Sequence, residues 1–214
     1  MKIKLEILSA SSICAKQEIE DLHTKRLVPK MVTRRRLTRA AKMAIYLADQ
    51  VSFTQGKVIY GSSFGELPAT ANILHAIQKE EGISPTHFQN SVYNTAVSYL
   101  SMLHENKEEI LTVSSGDKTS EKVLKAGAIK ALEGRTLLLL VTETLNIDAI
   151  DEVNTCKVHL ESGAAVKVRL STETPTLDLD TLPIDKRLPA SMQLLHALAS
   201  SMKTGQKNII EVSL

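Results

Sequence analysis

The sequence predicts an α/β layered fold, with helices packed on a mostly parallel or mixed sheet around a buried central helix. Strand-like and helix-like stretches alternate along most of the chain. The run Leu137 to Val141 is unbroken Leu-Leu-Leu-Leu-Val, which suits a strand covered on both faces. The helical stretch before it turns a small-residue face inward (Ala126, Gly127, Ala128 and Ala131), so neighbouring elements can approach it closely. At 214 residues a single domain is expected. With 43% apolar and 23% charged residues the chain is neither disordered nor fibrous.

Lys2 to Leu8 alternates with period two and reads as a strand, and Ser9 to Leu37 has no clean period. Arg39 to Val51 is an amphipathic helix with Met43, Tyr46, Leu47 and Val51 on one face and Thr38 as its N-cap. Lys57 to Gly61 is a short strand. Leu67 to Glu80 is a helix with Pro68 in its first turn, where proline is tolerated. Ser84-Pro85-Thr86 breaks the chain before a second helix, Ser91 to His104. Glu109 to Val113 is a strand, and Asp117 in the following turn caps the small-residue helix that runs to about Leu132. Thr136 to Thr142 is the apolar strand. Val158–Leu160 and Ala165–Leu170 flank Glu161-Ser162-Gly163 and read as a hairpin. Thr172 to Leu188 reads as loop, Leu188 to Met202 as a helix and Asn208 to Leu214 as a strand.

Several function classes are excluded by composition. A net charge of +2 does not suit a dedicated nucleic-acid binder, and three Phe, four Tyr and no Trp leave little for base stacking. No apolar run approaches the ~18 residues of a membrane span. The opening MKIKLEIL lacks the apolar region of a signal peptide, so a cytoplasmic location is expected. Cys14 and Cys156 are too isolated for a CxxC metal site and are expected to be buried thiols. The histidines show no metal-ligand spacing, so no metal is expected, and no glycine-rich phosphate loop occurs.

Two turns invite a catalytic reading. Gly61-Ser62-Ser63-Phe64-Gly65 matches G-x-S-x-G between a strand and a helix, the setting of a nucleophile elbow. Ser63 would be the nucleophile of a serine hydrolase or acyltransferase, with Asp148, Asp151 or Asp178 and His159 or His196 completing a triad. Only one strand precedes Ser63, whereas several precede the elbow of an α/β-hydrolase, so a structural turn is the preferred reading. Ser114-Ser115-Gly116-Asp117 opens the small-residue helix, where helix amides would activate a cysteine; none is there, and a capped turn is preferred. The basic run that includes Arg34, Arg35, Arg36 and Arg39 is either a solvated face or a contact for an acidic surface.

Gly65-Glu66, Ser84-Pro85-Thr86-x-Phe88 and Ser91-Val92-x-Asn94 occur in order within Val58 to Met102, after Arg34-Arg35-Arg36. In these pieces the chain resembles the short β-ketoacyl-synthase-like chain length factors of bacterial aryl-polyene gene clusters, over residues 30–142. It departs from them at Tyr93 and at Thr95 to Tyr99. The resemblance implies a thiolase-like fold, mainly its N-terminal half, as a single domain over 1–214 truncated at the C-terminal half. It places the nucleophile of condensing enzymes at about Ser115 or Gly116. No Cys stands there, and His196 is the only histidine beyond His159, so no condensation by this chain alone is implied. What is implied is a non-catalytic subunit pairing as a heterodimer with an active ketosynthase in polyene or fatty-acid-type biosynthesis. Ser91, Tyr93, Asn94, Val97, Tyr99, Met102, Leu111 and Val113 would face the partner or its acyl tunnel. An acyl carrier protein would present phosphopantetheine-linked acyl chains and could meet Arg34, Arg35, Arg36 and Arg39. No cofactor is implied for the chain itself, and a homodimeric scaffold is the remaining alternative.

Overall fold

A computed structural model describes residues 1–148, 158–202 and 206–214. Six strands form one mixed sheet: β1 Lys2–Ala15, β2 Lys57–Gly61, β3 Ile110–Val113, β4 Leu137–Thr144, β5 Glu161–Leu170 and β6 Asn208–Ser213, in the order β3-β2-β4-β5-β1-β6. Strands β3, β2 and β4 are parallel, and β5, β1 and β6 follow by antiparallel pairing. The described helices are α1 Thr24–Leu27, α2 Met31–Arg36, α3 Arg39–Gln50, α4 Leu67–Gln78, α5 Pro85–Asn90, α6 Thr95–His104, α7 Thr119–Ala131 and α8 Ala190–Ser200, with short 3-10 turns at Gly116–Lys118 and Leu179–Thr181.

Strand β4 divides two cores by its own alternation. Leu138 and Leu140 pack with Leu47 of α3, Val97 and Leu100 of α6 and Tyr60. Leu137, Leu139 and Val141 pack on the other face with Val123 and Leu124 of α7 and Leu195 and Leu198 of α8. All five are buried, which is why the apolar run is continuous. The small residues of α7 do bring it close: a Cβ on Gly127 would lie 2.3 Å from Leu139 Cδ2. Its outer face carries ion pairs, Lys125 to Glu121 at 2.9 Å and Lys130 to Glu109 at 2.8 Å, beside the exposed Ile129.

The structure corrects five local expectations. Strand β1 does not stop at Leu8: after a register irregularity between Ile7 and Ser9 it runs to Ala15, held by its pairing with β5. Glu161-Ser162-Gly163 is not a turn but the start of β5. Glu161 is buried against Arg39 in an ion pair of 2.5 Å, and Gly163 lies where a Cβ would be 2.7 Å from Leu47 Cδ1. Helix α6 begins at Thr95 rather than Ser91. Asp117 caps nothing; Thr119 Oγ1 accepts from Ser115 N at 3.0 Å and donates to Gly116 O at 2.7 Å. Thr38 caps α3 as expected, accepting from Ala41 N at 3.1 Å. Cys14 is exposed rather than buried, and Cys156 lies outside the described residues.

Candidate functional site

The carboxyl ends of parallel strands are where open α/β sheets place their sites. At that end of β2, residues 62–65 wrap around a buried carboxylate, Glu143 of β4. Ser63 N at 2.6 Å and Ser191 Oγ at 2.8 Å donate to its Oε1, and Ser62 Oγ at 2.9 Å and Phe64 N at 3.3 Å donate to its Oε2. Ser62 Oγ in turn accepts from Gly65 N at 2.8 Å. Gly65 has φ +61°, and Tyr93 stacks where its Cβ would be, with ring carbons at 3.2 Å. The Tyr93 hydroxyl donates to Ser63 O at 3.2 Å. Burial pushes the Glu143 carboxyl up to about 6 although these four donors favour its charged form.

Glu66, which opens α4, is a second buried carboxylate. Thr38 Oγ1 donates to it at 2.7 Å, and burial pushes it up to about 7. A carboxyl with a raised native pKa binds its proton more tightly folded than unfolded. Stability therefore falls as pH rises from about 4.5 towards 7 and is flat above that. Glu66→Gln keeps an acceptor for Thr38 and removes the buried charge. Its melting temperature should match wild type near pH 4.5 and exceed it at pH 8, by up to about 3 kcal/mol of stability at ~1.4 kcal/mol per pH unit. A pH-independent difference in thermal melts would refute this account.

The hydrolase constellation is not assembled among the described residues. Ser63 is held through its main chain. His159 precedes β5 with both ring nitrogens buried and unpartnered, and His196 Nδ1 lies 3.4 Å from Ser200 Oγ. Asp178 accepts from Asp180 N at 3.0 Å, Asp148 is exposed, and Asp151 lies outside the described residues. None of the described candidates hydrogen-bonds to Ser63.

Ser115 and Gly116 sit exposed at the mouth of α7, and Ser114 Oγ lies 3.5 Å from Ser63 O, so the two serine turns are neighbours. Tyr93, Asn94, Met102 and Leu111 are exposed. Ser91 is half-buried and donates to Phe88 O, while Val113 is half-buried against the α7–α8 core. Val97 is buried at 1% in the α3–α6 core, and Tyr99 lies 3.4 Å from Asn90 through its hydroxyl. Arg39 is taken up by Glu161 and Arg34 by the carbonyls of Val28 and Pro29, whereas Arg35 and Arg36 are exposed.

The largest feature that sequence reading missed is the segment from α4 to Tyr93. Neither α4 nor α5 buries a single side chain, although α4 is rich in apolar residues and α5 carries Phe88. Leu74 is 61% exposed, Ile77 57%, Phe88 71% and Val92 50%. The sign was present in Leu-Pro-Ala-Thr-Ala-Asn-Ile-Leu-His-Ala-Ile, an apolar helix with no charged face to give to water. Glu143 carried a fainter sign, an acid inside the apolar run Leu-Leu-Leu-Leu-Val-Thr-Glu-Thr.

Residues 10–210 match the family described as the β-ketoacyl synthase N-terminal domain, a wider span than the 30–142 in which the motifs lie. No curated protein sequence matches the chain. Among solved structures, it superposes on the ketosynthase ApeO in complex with its chain length factor ApeC from Xenorhabdus doucetiae, with a TM-score of 0.70 at 19% identity, covering 94% of this chain and 93% of that one. It superposes on the ishigamide ketosynthase/chain length factor with a TM-score of 0.61 at 11% identity, covering 80% of this chain and 63% of that one. A third similarity is to the type II polyketide acyl-carrier protein in complex with its ketosynthase, AntDE:AntF, with a TM-score of 0.55 at 9% identity, covering 79% of this chain and 59% of that one. Among the described residues no helix is long and apolar enough to cross a membrane.

Proposed function

The chain belongs to the β-ketoacyl synthase N-terminal domain family, and we propose that within it the chain is a non-catalytic chain length factor that pairs with an active ketosynthase. The observation that carries this reading is the unburied apolar surface of α4 and α5. About 25 cal/mol is lost for every Å² of such surface left in water, and contiguous exposed patches of this kind mark binding sites. Tyr93, Met102 and Leu111 are exposed as well, Leu111 on β3, an edge strand whose outer side pairs with no described strand. A partner that covered it would lie beside the mouth of α7.

Catalysis is not expected from this chain by itself. Ser115 and Gly116 occupy the place where, by resemblance, condensing enzymes carry their cysteine, and among the described residues no base hydrogen-bonds to them. In this reading the nucleophile and the histidines belong to the ketosynthase. Tyr93, Ser91, Asn94 and Met102 are the side chains offered to it or to its acyl tunnel. Val97 is withdrawn into the core and does not join them. Carrier-protein contact is left to Arg35 and Arg36, since Arg34 and Arg39 hold their own chain. ApeO with ApeC, and AntDE with AntF, are precedents in related folds for both kinds of partner.

The test is the native mass of this chain co-expressed with a ketosynthase encoded beside it. A one-to-one complex whose condensing activity is lost when the partner's cysteine is replaced is the expected result. Separate purification, with this chain as a homodimer, would replace the proposal with a self-assembled scaffold.

A further inference from the structure

A groove of about 860 Å³ opens between α2, α5 and α6, away from the serine turns. Its apolar lining comes from Val28, Leu37, Ile45, Tyr99, Met102 and Leu103. Leu37 and Ile45 are buried at 7% and 2%, so the floor is part of the α3 core and does not depend on a loop. The volume lies within the ~300–1,000 Å³ of small-molecule sites. The charge at its lip is asymmetric. Lys30 and Arg36, from the two ends of α2, are the cations of the lining, and Glu105, just past the end of α6, is its one acidic residue.

Neither cation is engaged by an acid among the described residues. Arg36 is exposed and makes no described hydrogen bond or ion pair, in contrast to Arg26, Arg34 and Arg39. A guanidinium left in water beside an apolar trough recognises carboxylate or phosphate oxygens through paired N–H donors. An apolar chain alone would be served by the trough, and a free anion by the lip. Only a molecule that joins the two uses both.

We propose that this groove binds an apolar chain ending in an anionic group, a carboxylate or a phosphate, with Arg36 and Lys30 on the anion and Met102 and Leu103 along the chain. The groove shares Met102, Arg36 and part of α5 with the surfaces proposed for the ketosynthase and the carrier protein; ligand binding is read on this chain without either partner, so its failure is distinguishable from a failure to pair.

The experiment uses the full chain labelled with 13C at its methionine methyl groups, titrated with dodecanoate, dodecyl phosphate and dodecanol below their aggregation limits. Met102 lines the groove and Met192 is buried in the α7–α8 core, so the second serves as internal control. A saturable shift of Met102 with Met192 unmoved is expected for the anions, with dodecanol at least about tenfold weaker, the loss of one charge-assisted contact. Arg36→Glu should weaken anion binding by about tenfold or more and leave dodecanol unchanged. The tighter of the two anions identifies the source, a free fatty acid or a phosphate ester. Absence of a Met102 shift, equal binding of dodecanol, or an unchanged affinity in Arg36→Glu would each overturn the proposal.

Discussion

Phe88→Asp is expected to separate this chain from the ketosynthase proposed as its partner while leaving its own melting temperature unchanged. Phe88 is 71% exposed and α5 buries none of its side chains, so the substitution removes no contact from the core. At an interface the same side chain would be desolvated, and large apolar anchors there are worth about 2–4 kcal/mol. An aspartate in its place adds the cost of burying an unpaired charge. Together these predict a weakening of at least about a hundredfold, visible as loss of the complex in native mass measurements at micromolar protein. Ile77→Asp, on α4, should act in the same direction. If the complex survives both variants, the exposed helices are not the partner surface. If melting drops instead, the helices pack on their own domain more than their exposure indicates.

Glu143→Gln should destabilise the chain, by on the order of 2–4 kcal/mol at neutral pH, the opposite sign to Glu66→Gln. The difference lies in the donors. Glu66 meets the Thr38 hydroxyl, which an amide oxygen accepts equally well. Each oxygen of Glu143 meets a main-chain N–H, Ser63 on one and Phe64 on the other. Whichever way the glutamine amide is turned, its NH₂ faces an N–H that has lost its acceptor, and such a group costs about 1–3 kcal/mol on each side. Relief of the buried charge offsets part of this above pH 6. The deficit should therefore widen towards pH 5, where the wild-type carboxyl is protonated and its hydroxyl can donate to Ser62 or Ser191. Thermal melts at pH 5 and pH 7.5 decide it: a roughly 5–15 °C loss is expected, and a gain at either pH would show that the turn does not depend on Glu143.

The elements legible in the sequence were those whose cause is local. Thr38 caps α3 because its hydroxyl reaches the next turn, and the run from Leu137 reads as a doubly covered strand because each side chain needs a core. The absence of a cysteine before α7 was equally plain. The elements misread were those decided by partners distant in sequence. Glu161-Ser162-Gly163 has the composition of a turn and becomes strand because Arg39, more than a hundred residues earlier, neutralises Glu161, and because Gly163 makes room for Leu47.

The sequence by itself therefore determined the α/β class and the small-residue helix that packs closely on the sheet, since each follows from residue type and spacing. Only the tertiary structure decided which cations are free to meet another molecule, why the Gly61–Gly65 turn is a scaffold gathered around Glu143, and that α4 and α5 leave their apolar side chains in water. Those properties depend on burial and on contacts across the sheet, and burial is set by where the rest of the chain lies.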